Sequence, residues 1–242
     1  MNHSGTTTTI TAAAPALLVG IDGAAALSAA TVAAVNGLCD LAEDAAARGP
    51  VLLRLTGAPA AAATAAVGGA AVGAGVPPLT LVNKWERALR RLERLNLPVV
   101  AVVTGDCGGV ALEALLTADF RIAEPGSRLL SPTGPGGVWP GMALYRLTNQ
   151  LGVAATRRAV LFGAPVPAEQ ALQWNLLDLL VDDPGSELPD EAAAVLAAAG
   201  PGLAVRRQLM LDATTTSFEE ALGRHLAACD RVLRRTDAGA AS

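Results

Sequence analysis

Residues 98–119 read PVVAVVTGDCGGVALEALLTAD, and this one line contains an apolar run, a glycine turn and the start of a helix. Pro98 to Val103 is a continuous aliphatic run of the kind that a strand buried on both faces requires. Gly105, Gly108 and Gly109 interrupt it, and apolar residues then resume from Val110. The exception among them is Glu113, set amid Val110, Ala111, Leu112, Ala114, Leu115 and Leu116. Amides just after Gly108-Gly109 open a helix, so they lack intrahelical acceptors and carry the positive end of the helix dipole. Such a turn suits an anion or a developing oxyanion, and glycine lets a ligand approach the backbone closely. A carboxylate follows one helical turn later. The residues alone admit two readings: a turn-and-acid pair that handles charge during a reaction, or an ordinary strand-to-helix turn whose carboxylate is paired with an arginine elsewhere.

Upstream, ALLVGI at residues 16–21 suits a strand, and Ser28 stands as an N-cap before Val32, Val35, Leu38, Leu41 and Ala45 at helical spacing. A second strand, PVLLRLT at residues 50–56, ends at Gly57. Strand, helix and strand in this order are the signature of a βαβ unit. Residues 58–78 form a small-residue tract without periodicity, expected to be a long loop. NKWERALRRLERL at residues 83–95 predicts an amphipathic helix, with Trp85, Leu89, Leu92 and Leu95 on one side and Arg87, Arg90, Arg91 and Arg94 on others. Downstream come a strand at 120–123, a Gly/Pro-rich loop at 131–141, and helices at 142–152, 154–162 and 168–174. A short strand at 176–181, a loop at 182–189 and two or three terminal helices complete the pattern. Repeated βα units with a helical C-terminal part predict a layered α/β fold. The expected division is a flexible leader at residues 1–12, an α/β core at 13–183 and a helical region at 184–242.

Composition narrows the function classes. The 242 residues are 52% hydrophobic, but Ala alone supplies 52 of them, so the apolar character is mostly alanine. Only 17% are charged and the net charge is −4, which excludes a disordered chain and gives no basic stripe for nucleic acid. The most lipid-like stretch, residues 60–76, is Ala, Gly and Val, too glycine-rich for a spanning helix. No basic segment precedes the apolar part of the N-terminus, which argues against secretion. Cys39, Cys107 and Cys229 are widely spaced and odd in number, so neither a disulfide framework nor a metal site is expected. These features point to a cytoplasmic protein without membrane, nucleic-acid or metal partners.

Residues 98–119 resemble the crotonase, or enoyl-CoA hydratase/isomerase, superfamily, which has a KPV-type strand, an NG turn, a GGG-containing turn, an E-L-A helix and a C-D or A-D ending. The strand, Gly105, Glu113 and Asp119 match without gaps. Trp139-Pro140-Gly141 looks like the family's I-P-G turn, and Arg146-Leu147 with Gly152 like its R-L-x-x-x-x-G helix. GAPVPAEQA at 163–171 with Leu177-Asp178, and SFEEAL at 217–222, extend the likeness over most of residues 16–235. The resemblance implies an α/β crotonase-like spiral of ββα units, with C-terminal helices that assemble a homotrimer or hexamer. It also implies an acyl-CoA substrate, the CoA thioester being the substrate and no separate cofactor being needed. Two backbone amides then stabilise the charge that builds on the thioester oxygen. By position one of these is Val110, next to Gly109, and the other lies at Ala65-Ala66, with Ala66 the donor, although the family's A-G-A-D string is missing there. Glu113 takes the first of the family's two catalytic glutamate positions. The second falls on Thr133, in LSPTG where the family has Q-P-E. A hydroxyl orients water but holds no exchangeable proton reservoir at neutral pH.

The strings VNKWERALRRLERL and WPGMALYRL look most like the enoyl-CoA-hydratase-like proteins of 3,5-dihydroxyphenylglycine biosynthesis. That likeness implies a partner, a type III (chalcone-synthase-like) polyketide synthase, and a role in dehydrating and aromatising its product to 3,5-dihydroxyphenylacetyl-CoA. One Lys against 17 Arg, with abundant Ala and Gly, matches the coding bias of a GC-rich genome, as an antibiotic producer has. Two alternatives stay open: an accessory partner of the synthase, and a one-acid enoyl-CoA isomerase or decarboxylase. Asp106 is a substrate contact or an Asx-turn residue, and Trp139 a pocket wall or core residue. The four arginines at 87, 90, 91 and 94 form a solvated face or bind CoA phosphate. His225 reads as a surface or interface residue, and no activating partner accompanies Cys107.

Overall fold

A computed structural model describes residues 10–13, 16–44, 49–59, 77–134, 137–184, 188–200 and 202–240. Its strands are β1 (Ile10–Ala13), β2 (Ala16–Asp22), β3 (Val51–Thr56), β4 (Val99–Thr104), β5 (Phe120–Ala123), β6 (Arg128–Leu129), β7 (Thr133–Gly134), β8 (Gly137–Val138), β9 (Val166–Pro167) and β10 (Leu179–Leu180). Six of them make one sheet in the order β1-β2-β3-β4-β5-β10. β2 to β5 and β10 run parallel, and β1 folds back antiparallel on β2. The remaining four pair as β6 with β9 and β7 with β8, both antiparallel.

Alternation along the strands divides the core between the two faces of the sheet. Val19, Leu53, Val99, Ala101 and Val103 join the larger apolar cluster, whereas Leu52, Val100, Val102 and Ile122 join the smaller one with Ala192. Both faces are therefore apolar, which explains why the β4 sequence carries no polar alternation.

The helices are α1 (Ala29–Glu43), α2 (Leu79–Leu92), α3 (Gly109–Leu115), α4 (Met142–Phe162), α5 (Ala168–Gln173), α6 (Asp190–Ala198), α7 (Leu203–Ala213) and α8 (Phe218–Ala240). Ser28 caps α1 as predicted, accepting from the Thr31 amide at 3.1 Å. α2 begins at Leu79, a turn earlier than the amphipathic spacing predicts, and ends at Leu92 rather than Leu95. Pro78 precedes its first residue with extended backbone, so the start is set by proline and not by burial. α1 and α2 are joined by Arg91, which donates to Asp40 at 2.6 Å and to Glu43 at 2.6 and 2.8 Å. Arg91 thus has a structural role that a solvated face did not foresee. α4 is continuous in its span but leaves helical geometry at Gly152 (φ 79°, ψ 163°), where the sequence predicts the break between two helices.

β10 covers two of the residues expected for a longer strand. Leu176 and Leu177 instead donate to the Ala171 carbonyl in a turn after α5. β7 and β8 make a small ladder inside the predicted Gly/Pro loop. The chain divides into two compact units, Met1–Ala198 and Ala199–Ser242. α6 belongs with the first because Ala192, Leu188 and Leu196 cover the outer face of β3, β4 and β5. No described helix is long and apolar enough to cross a membrane.

Candidate active site

The carboxyl ends of β2, β3 and β4 lie level, with Asp22 opposite Thr56 and Thr56 opposite Thr104. The turns that leave them interlock. Gly23 donates to the Thr56 carbonyl at 2.7 Å, and Gly108 donates to the Gly57 carbonyl at 3.0 Å. A β-carbon on Gly23 would sit 2.1 Å from the Gly108 oxygen, so only glycine fits there. At Gly109 φ is +52°, and a β-carbon would stand 2.6 Å from the Gly23 oxygen. Glycine is thus required at 109 on both conformation and space.

From this turn α3 rises. The amides of Ala111 and Leu112 both donate to the Gly108 carbonyl, at 3.1 and 3.3 Å. The two amides before them, of Gly109 and Val110, have no acceptor among the described residues. The Val110 side chain is buried in the main core. Two adjacent donors at a helix start, without an acceptor among the described residues, are what a developing oxyanion requires. The expected companion donor, Ala66, and its neighbour Ala65 lie outside the described residues. Ala58 and Pro59, at the start of that segment, pack against Gly108 and Gly109.

Glu113 lies one turn further on, 6% exposed. Its Oε2 accepts from the Trp85 indole N–H at 2.7 Å. Its Oε1 faces Gly141, whose β-carbon position is 3.4 Å away. Burial pushes the carboxyl up to about 7; the Trp85 hydrogen bond opposes that rise, the charge of Glu86 adds to it, and that of Arg146 lowers it. A carboxyl near 7 is suited to both giving and taking a proton at neutral pH. The arginine-paired reading of Glu113 gives way to an indole partner. Arg146 instead donates to Glu93 at 2.8 Å and to Glu86 at 2.9 Å.

Thr133 sits half-buried in β7, opposite Val138 in β8. The hairpin closes with the Trp139 amide donating to the Pro132 carbonyl at 2.7 Å. Trp139 folds back over it, so that β-carbons on Gly134 and Gly141 would lie 2.8 and 2.7 Å from its indole. The indole therefore fits between two glycines, one next to Thr133 and the other against Glu113. Trp139 thereby links the Thr133 hairpin to the Glu113 carboxyl.

Asp106 is held by Arg128 through two bonds, Nε to Oδ1 at 2.8 Å and Nη2 to Oδ2 at 2.5 Å. The guanidinium holds its carboxyl below the usual carboxylate range. Together with the Cys107 amide donating to the Arg128 carbonyl at 2.8 Å, the pair fastens the turn to β6. Cys107 is fully buried, which pushes its thiol well up and leaves no thiolate for nucleophilic work. His225 is exposed on α8. Among the described residues no cluster of His, Cys, Asp and Glu could hold a metal ion.

Trp85 and Arg146 are the site residues that sequence reasoning missed. Trp85 registered only as a core position of an amphipathic helix, 28 residues from its carboxylate partner.

Comparison with known proteins gives the family and the fold. The profile of the enoyl-CoA hydratase/isomerase family matches residues 79–240. An enoyl-CoA-hydratase of Amycolatopsis orientalis is 50% identical over 220 residues, covering 90% of this chain and 96% of the relative. Two solved structures share the fold. The enoyl-CoA hydrotase/isomerase family protein from Silicibacter pomeroyi superposes with a TM-score of 0.73 at 18% identity, over 94% of this chain and 99% of that one. The enoyl-CoA hydratase/isomerase from Marinobacter aquaeolei gives 0.71 at 18% identity, over 94% and 91%.

Proposed function

The chain belongs to the enoyl-CoA hydratase/isomerase family, and from that premise we propose that it is an acyl-CoA hydro-lyase of antibiotic biosynthesis. In this reading it assists dehydration and aromatisation of a polyketide acyl-CoA to 3,5-dihydroxyphenylacetyl-CoA, taking its substrate from a type III polyketide synthase. The observation that carries the reaction class is a buried, near-neutral carboxyl at Glu113 on the same short helix as the Gly109 and Val110 amides, which have no acceptor among the described residues.

The chemistry needs one acid-base group. Glu113 takes a proton from the carbon next to the thioester carbonyl, and the electron pair of that C–H bond moves into the enolate. Negative charge builds on the thioester oxygen, which the Val110 and Gly109 amides receive. The β-hydroxyl then leaves, taking the proton back from Glu113 as water, and the enolate pair forms the new double bond. Glu113 ends as it began. Thr133 in place of a second acid supports a substrate whose β-hydroxyl leaves readily, as in a polyketide with acidic flanking protons. Assembly as a homotrimer or hexamer belongs to the same reading, and Phe218, Leu222 and Leu226, exposed at helical spacing along α8, support it.

Replacement of Glu113 by Gln tests the assignment in an assay of aromatic product from the polyketide intermediate. Turnover is expected to fall by about 100-fold or more. An accessory role is the second reading, favoured by Thr133 at the second glutamate position and by the missing A-G-A-D string. It predicts co-purification with the synthase and undiminished product enhancement by Glu113→Gln, and that result would overturn the enzyme reading. Direct assay on simple enoyl-CoA and malonyl-type thioesters separates a one-acid isomerase or decarboxylase.

A further inference from the structure

We propose that Trp85 is a positioning residue that decides which oxygen of Glu113 carries the mobile proton. Its indole N–H reserves Oε2 as an acceptor and leaves Oε1, beside Gly141, to take and return the proton. The inference rests on the reading of Glu113 as the acid-base group.

The argument begins with the valence of the partner. An indole nitrogen donates one hydrogen bond and accepts none. Trp85 is 1% exposed and Glu113 6%, so neither has water to substitute for a lost contact. A proton placed on Oε2 would turn that oxygen into a hydroxyl, a poorer acceptor, and weaken the 2.7 Å bond from the indole N–H. The proton therefore belongs on Oε1. Gly141 keeps that oxygen unobstructed, since a side chain there would begin 3.4 Å from Oε1 and 2.7 Å from the Trp139 indole.

The indole is itself fixed. Trp85 shares the buried face of α2 with Ala88, Leu89 and Leu92. The next residue, Glu86, accepts from Arg146 at 2.9 Å, and Arg146 also holds Glu93, which accepts from Arg90 at 2.9 Å. Arg91 fastens the end of the same helix to α1. The helix cannot turn about its axis without breaking these pairs, so the N–H arrives at Glu113 already oriented. A donor set in place before reaction spares reorganisation during it.

The Trp85→Phe substitution keeps most of the ring volume and removes the N–H. Glu113 is then titrated without substrate, by infrared difference between each protein and its Glu113→Gln counterpart. Loss of a donor that favours the carboxylate is expected to raise the midpoint by about one pH unit and to shift the carboxyl stretching band. In turnover assays kcat is expected to fall by about 10-fold with KM little changed, and the pH profile of kcat to move upward with the midpoint. An unmoved midpoint and an unshifted band would overturn the proposal. If the variant does not fold, the unmodified protein supplies the test through the Trp85 indole resonance in 15N NMR. That resonance is expected to follow the Glu113 midpoint and to lose the titration in Glu113→Gln; a resonance that ignores pH would refute the bond. Unchanged turnover in Glu113→Gln would reject the acid-base reading of Glu113 while leaving these titrations interpretable, so the two failures are distinguishable.

Discussion

Glu113 and Glu93 are buried to nearly the same degree, 6% and 8% exposed, yet their surroundings differ in kind. Glu93, at the end of α2, accepts from two guanidinium groups, those of Arg146 and Arg90. Glu113, on α3, accepts from a neutral indole. A carboxylate held by two guanidinium groups is tied into the scaffold. One matched by a dipole alone pays for burial by shifting toward its neutral form, and that makes it able to exchange a proton at pH 7. The two sites are connected, because Arg146 and Glu86 belong to the ion network and also influence the Glu113 carboxyl. Burial therefore marks both residues, and the nature of the partner separates scaffold from chemistry.

The largest test of that contrast is Arg146→Met. It leaves Glu86 and Glu93 without their shared cation and is expected to cost about 3 kcal/mol or more in urea unfolding, as breaking a buried pair from one side does. Glu113→Gln is expected to do the reverse, sparing the fold while turnover falls by about 100-fold. Equal losses of stability in the two variants would erase the distinction.

The pH dependence sharpens it further. The Glu113 carboxyl is raised in the folded state from 4.5 to about 7. Between these values the unfolded chain ionises while the folded one holds its proton, so stability falls as pH rises through the window and levels above it. The fall amounts to at most about 3 kcal/mol, and it should vanish in Glu113→Gln in unfolding titrations from pH 4 to 8. Activity that depends on the carboxylate should rise over the same range. Gly141→Ala, which introduces a methyl against both Trp139 and Oε1, is expected to lower kcat by about 10-fold, read in steady-state assays. Thr133→Ala should change kcat by less than about 3-fold, because a hydroxyl there is no proton reservoir; a larger loss would give Thr133 a part in orienting water.

How far the sequence anticipated this site follows the range of the interactions. The β4 strand, the glycine turn and Glu113 were legible because they are neighbours in the chain, each identified by local pattern. The break at Gly152 was legible for the same reason, since a lone glycine between two helical patterns announces itself. The Trp85 partner was not, because a hydrogen bond across 28 residues depends on how α2 packs and leaves no periodic trace. Arg146 reaches 53 and 60 residues back, and as part of a helix motif it gave no hint of the two acids it joins. The β7–β8 hairpin escaped because two-residue strands among Gly and Pro carry no alternation.

Glycine and alanine codons differ by one base, and this chain has accepted alanine at 52 of 242 positions. Where the turns of β2 and β4 cross, that exchange is closed. A single methyl at Gly23 would occupy the Gly108 carbonyl, and one at Gly109 would strike the Gly23 carbonyl. The placing of the Gly109 and Val110 amides is thus written into a contact between backbones with no side chain to adjust. In a chain so rich in alanine, the junction works as a gauge with a tolerance of one carbon atom.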